Sequence, residues 1–147
     1  MNLQDIIDMD EDQAPLWIAY PNSITFQVLV RPLGNKQKEF LEKSREVKWN
    51  EAVMEQEVVF NEEKYIKLFS AHVIVDWKGL DVDVIKKLVL IKNFKKLRDV
   101  TGGIACDDTA KALLMKHSPA FSIWINRVCV DIERFNQERE EVEKKTS

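Results

Sequence analysis

Histidine, cysteine, glycine and proline are all scarce in this sequence, with two, two, four and four copies in 147 residues. Cys106 and Cys129 form no CxxC pair, and Cys129 falls in an apolar helical stretch, where a free cysteine behaves as a small hydrophobe. The opening MNLQDIIDMDED is acidic, the wrong sign for a targeting segment. Together these features point to a reducing cytosol rather than a disulfide scaffold. No apolar run approaches the ~18 residues of a membrane span, so no membrane role is expected. A concentrated positive charge is also missing: 22 Lys and Arg face 25 Asp and Glu, for a formal net charge of −3. Nucleic acid is therefore not expected as the main partner, because counterion release needs a dense basic surface. The most basic stretch, Lys86 to Arg98, interleaves its cations with Leu, Val, Ile and Phe and reads as an amphipathic segment with a solvated face.

Catalytic constellations are missing as well. Asp8, Asp10 and Asp12 open like a calcium loop, but its sixth and twelfth positions would be Gln13 and Ala19 rather than Gly and a bidentate Glu. His72 and His117 are each expected near the inner face of a different helix, and neither has the Cys/His spacing of a zinc site. Gly102-Gly103 has no Gly-Lys-Ser/Thr behind it, so it reads as a tight turn before a helix rather than a phosphate loop. Asp76, beside Trp77, is the most noteworthy acid, and its plainest role is to bond local backbone at a helix end. No catalytic residue, metal or cofactor is expected, and the chain is not read as an enzyme.

What is present is the balance of a folded globule: 45% hydrophobic and 32% charged residues. One domain is expected over residues 1–147, with a flexible acidic start (1–14) and a solvated C-terminal extension (137–147). Leu16–Tyr20 and Ile24–Val30 flank Pro21-Asn22-Ser23, a hairpin signature. In the second run Ile24, Phe26, Val28 and Val30 alternate with other residues, so one face should be buried under helices. Asn35 caps an expected helix reaching Val47, and Val58–Phe60 could add a third strand.

Asn61 caps a second helix, with Glu62 and Glu63 in its first turn. Its apolar face runs from Tyr65 through Leu68, Phe69 and His72 and is widened by Ile66, Val73 and Trp77, until Gly79 stops it. Asp81 or Asp83 starts a short helix, and a polar connector follows through Asn93, ending in Thr101-Gly102-Gly103. Asp107 or Asp108 caps a helix with Ala110, Leu113, Leu114 and His117 on one side. Ser118-Pro119 starts the last helix, carrying Phe121, Ile125, Val128, Ile132 and Phe135. The expected class is α+β, mainly α: an N-terminal β-hairpin or small antiparallel sheet packed on a bundle of about four to five helices.

The order of these features resembles the phage tail assembly chaperones of long-tailed (siphophage-type) phages. The likeness is carried by Phe26-Gln27-Val28-Leu29-Val30-Arg31-Pro32-Leu33, Val47-Lys48-Trp49, Phe60-Asn61-Glu62-Glu63-Lys64 and Asp76-Trp77-Lys78-Gly79-Leu80. Asp107 to Leu114 and then Phe121, Trp124, Asp131-Ile132 and Phe135 complete it, so that it covers roughly residues 16–136. The resemblance implies a protein that binds the tape measure protein and keeps it soluble until tail tube subunits polymerise around it. It also implies self-association, a place in the host bacterial cytoplasm and absence from the mature virion. On that reading Phe121, Trp124, Ile125 and Val128, with Trp77 and Leu80 opposite, would form an apolar face for client helices. The plainer assignment of all six is ordinary core. A small adaptor or regulator with an unrelated partner is the second functional reading.

Overall fold

The computed structural model describes residues 1–146. It is mixed α and β, mainly α, with two small antiparallel sheets among seven α-helices in the described residues. The expected hairpin is there: β1 (Leu16–Ala19) pairs antiparallel with β2 (Gln27–Val30). Val28 and Val30 are buried while Gln27 and Leu29 are only partly so, which is the alternation the sequence carries. Ile24 departs from the expectation. It sits 97% exposed ahead of the strand, because Ser23 closes the turn by accepting hydrogen bonds from the backbone N–H groups of Thr25 and Phe26.

The partner on the far side of β2 is β5 (Ile74–Lys78), giving the order β1-β2-β5. On periodicity alone the second helix runs through Trp77. That helix, α2 (Glu62–Val73), instead stops at the β-branched run Val73-Ile74-Val75, and the chain turns directly into the strand. Sheet pairing decides the matter: Val28 faces Trp77, Val30 faces Ile74, and the Arg31 N–H donates to the Val73 carbonyl at 2.8 Å.

The first helix is also shorter than expected. α1 (Lys36–Lys43) ends where Ser44, fully buried, turns its hydroxyl back to the Phe40 carbonyl at 2.7 Å. Arg45–Asn50 then forms β3, which pairs with β4 (Glu55–Phe60) as a separate two-stranded sheet. Val58–Phe60 is thus a strand, though not one of the main sheet.

Beyond β5 lie α3 (Val82–Leu88) and α4 (Phe94–Arg98), the latter inside the expected connector. Lys86, Lys87, Lys92, Lys95, Lys96 and Arg98 are exposed while Leu88 and Leu97 are buried, the solvated-face arrangement. In α5 (Asp108–His117) the inner face is Lys111, Leu114 and Met115, and Leu113 and His117 point outward, against the expected register. The last helix is two helices, α6 (Pro119–Val128) and α7 (Ile132–Thr146). The break comes where the Cys129 carbonyl accepts from the Leu33 N–H at 2.9 Å and Asp131 recaps the chain through the Arg134 N–H. The 1–14 segment lies beside α7, with Asp8 paired to Arg139 at 2.7 Å.

The main core joins the inner face of β1-β2-β5 to α6. Phe26 stacks on Phe121 with centroids 6.0 Å apart, and Tyr20 meets Trp124 edge-on at 4.9 Å. Burying such rings contributes roughly 2–3 kcal/mol each before entropy is counted.

Candidate protein-binding surface

All six residues expected to form the client face belong to that core. Trp77, Leu80, Phe121, Trp124, Ile125 and Val128 are each 8% exposed or less, so they offer no open apolar surface. The reason is the sheet: once Ile74–Lys78 pairs with β2, Trp77 and the α6 face meet the same interior. Trp77 donates its indole N–H to the Ile104 carbonyl at 2.8 Å, and Leu80 receives the Ile104 N–H at 2.9 Å, which pins the glycine turn behind them. The Asp76-Trp77-Lys78-Gly79-Leu80 segment is therefore a strand end with a structural task. Asp76 accepts from the backbone N–H of Trp77 at 2.8 Å, the local bond expected of it, but at a strand rather than a helix end.

An unpartnered apolar surface lies on the β3–β4 hairpin. Arg45 faces Phe60, Val47 faces Val58 and Trp49 faces Gln56, so Val47, Trp49, Val58 and Phe60 share one side of the ribbon. They are 65, 56, 68 and 46% exposed. The opposite side carries Glu46, Lys48, Asn50, Glu55, Glu57 and Val59, of which Glu46, Asn50 and Val59 are partly covered. The hairpin is held at its foot and its tip. At the foot Asn61 donates backbone N–H to the Ser44 carbonyl at 2.7 Å and side-chain amide to Glu46 at 2.8 Å, while its oxygen caps α2 through the Lys64 N–H. At the tip Asn50 accepts from the Ala52 N–H and donates to Glu57, each at 3.0 Å, and Met54 takes a left-handed φ of 55°.

Phe60 leads from the hairpin into a groove of about 910 Å³ between α1, α2, α5 and α6. Its floor is an aromatic row, Phe60–Tyr65 at 5.8 Å and Tyr65–Phe69 at 5.9 Å. Leu41 and Ile123 are exposed on its walls, and Glu62, Glu63 and Lys116 stand on its rim. An open apolar trough with a charged rim suits a peptide helix or strand better than a small polar substrate.

Chemically reactive groups are muted. Burial pushes the Cys106 and Cys129 thiols up to about 11, and neither is in a disulfide. His72 sits edge-on to Phe40 at 5.5 Å, and His117 is exposed at the end of α5. Among the described residues no three His, Cys, Asp or Glu side chains are grouped to hold a metal, and no helix is long and apolar enough to cross a membrane.

Sequence reasoning missed this surface because β3 and β4 are rich in charge. The signal was the alternation of Val47 and Trp49 with Glu46 and Lys48, which the period of a helix also partly accommodates. No protein-family model, curated protein or solved structure matches the chain.

Proposed function

We propose that the chain is a non-catalytic, protein-binding chaperone of phage tail assembly, which holds the tape measure protein soluble in the host bacterial cytoplasm until tail tube subunits take it over. The observation that carries this reading is the exposed apolar face of Val47, Trp49, Val58 and Phe60, continuous with the groove floored by Tyr65 and Phe69. A tape measure protein is a long series of amphipathic helices, and each helix is about 10 Å across with one apolar stripe. The groove covers such a stripe while leaving its polar side in water. Because the groove is open, each contact is weak enough for tube subunits to displace it. Several copies of the chain, self-associated along one client, supply the avidity that a single site lacks. In this reading the client site moves from the buried Trp77, Leu80, Phe121, Trp124, Ile125 and Val128 to the hairpin and groove.

The test is co-expression with a tape measure protein from the same genome neighbourhood, scored by the soluble fraction of the client and by pull-down. Wild-type chain keeps the client soluble and co-purifies with it. Val47→Lys with Val58→Lys, on the exposed ribbon, retains the fold by circular dichroism and loses the client. A client that aggregates equally with and without folded chain overturns the reading in favour of an adaptor with a different partner.

A further inference from the structure

A second concave surface, separate from the apolar groove, runs between α1 and α2. It encloses about 580 Å³ and is lined by Arg31, Lys36, Lys43, Lys64 and Lys67, with Glu39 as its one acid. Phe40, Leu68 and Ala71 form its apolar floor, and His72 closes one end. Five cations against one carboxylate is a local excess of positive charge on a chain whose formal net charge is −3. Glu39 satisfies Lys36 and Lys43, at 3.2 and 2.8 Å. Arg31 is committed to the carbonyls of Gln13 and His72. Lys64 and Lys67 make no ion pair among the described residues.

What lies at the closed end is the chain's own acidic segment. Residues 5–12 carry five carboxylates: Asp5, Asp8, Asp10, Glu11 and Asp12. Glu11 reaches Lys36, and Asp12 stands 4.0 Å from His72. Asp8, further back, is anchored to Arg139. Thus the exposed acidic segment at residues 10–12 lies at the edge of the cleft, where it meets Lys36 and His72 but makes no ion pair with Lys64 or Lys67.

From this arrangement we propose that the cleft between α1 and α2 is a binding site for an extended, carboxylate-rich peptide of a partner protein, and that residues 10–12 of the chain are its built-in competitor. The apolar floor takes the stem of a peptide side chain while its carboxylates meet the lysines, the mode by which basic clusters read acidic motifs. Bound peptide continues past the point where Asp12 ends and neutralises Lys64 and Lys67. The same phosphate-free chemistry is already displayed in cis by Glu11 on Lys36. This site does not depend on the chaperone reading, since it shares no exposed apolar residue with the hairpin.

The experiment uses full-length chain and a fluorescein-labelled peptide with the sequence of residues 5–12, followed by anisotropy at low and high salt. Asp10→Asn, Glu11→Gln and Asp12→Asn are combined to neutralise the competitor; all three positions are exposed, so the fold is retained. The neutralised chain binds the peptide about tenfold more tightly than wild type. Adding Lys64→Glu and Lys67→Glu weakens it again by about tenfold, as does raised salt. Equal binding by wild type and the neutralised chain overturns the competition. Equal binding of an all-amide version of the peptide overturns the carboxylate site. Displacement by a single-stranded oligonucleotide at lower concentration than unlabelled peptide assigns the cleft to a nucleic acid instead and likewise overturns it.

Discussion

At the scale of single residues, the two histidines differ in what surrounds them. His72 is nearly enclosed, with Phe40 against its ring and Arg31 and Lys36 close by. Burial first, and then those two cations, push its pKa below the ordinary 6.5, while Asp12 opposes them. Unfolded chain therefore takes up the proton before folded chain does. The sign follows: stability is complete above the unfolded value and declines as pH falls below it. Urea denaturation midpoints should drop as pH goes from about 7 to about 5.5, and His72→Gln should flatten that slope. Asp8 and Glu39, whose pKa values are lowered by Arg139 and by Lys43 and Lys36, act in a different window. Their contribution is present above their ordinary 3.8 and 4.5 and is lost below it, so the two effects separate.

At the scale of elements, the junction from β5 into α3 leaves no room for a side chain. Gly79 has φ of 78°, and a Cβ there would stand 1.8 Å from the Thr25 carbonyl oxygen, on the backbone just ahead of β2. No flexible side chain can yield, so the strand end itself would have to move. Gly79→Ala should cost at least about 2 kcal/mol, read as a lowered denaturation midpoint at unchanged m-value. This glycine is the stop signal its place in the sequence suggests, but for a strand. That pattern repeats elsewhere. Caps were legible: Asn61, Asp81, Asp107 and Ser118 each accept from a backbone N–H three residues on. What followed a cap was legible only while the apolar period stayed unambiguous. Ile74–Trp77 reads as one more helical turn until β2 supplies a strand partner 44 or more residues back, and no local window contains that pairing. The break between α6 and α7 was hidden for the same reason, because the Cys129 carbonyl is taken by Leu33 from another part of the chain.

At the scale of the whole molecule, the site was harder to read than the fold. Aromatic residues with the strongest motif character, Trp77 and Trp124, are core, while the exposed apolar face is made of Val47, Trp49, Val58 and Phe60 set among charges. Hydrophobic strength along a sequence reports burial first. An interaction surface must stay soluble, so it dilutes its apolar residues with Glu and Lys and lowers the signal that would reveal it. The division into two sheets has one more outcome. β2 is covered on both edges and buried beneath α6, but β3 and β4 have only each other and a foothold at Ser44 and Asn61. Their amides need no global unfolding to meet solvent. In deuterium exchange the chain should run on two clocks, with residues 45–60 labelling at least about tenfold sooner than Val28 and Val30. A partner that lies across the ribbon would slow the fast clock alone.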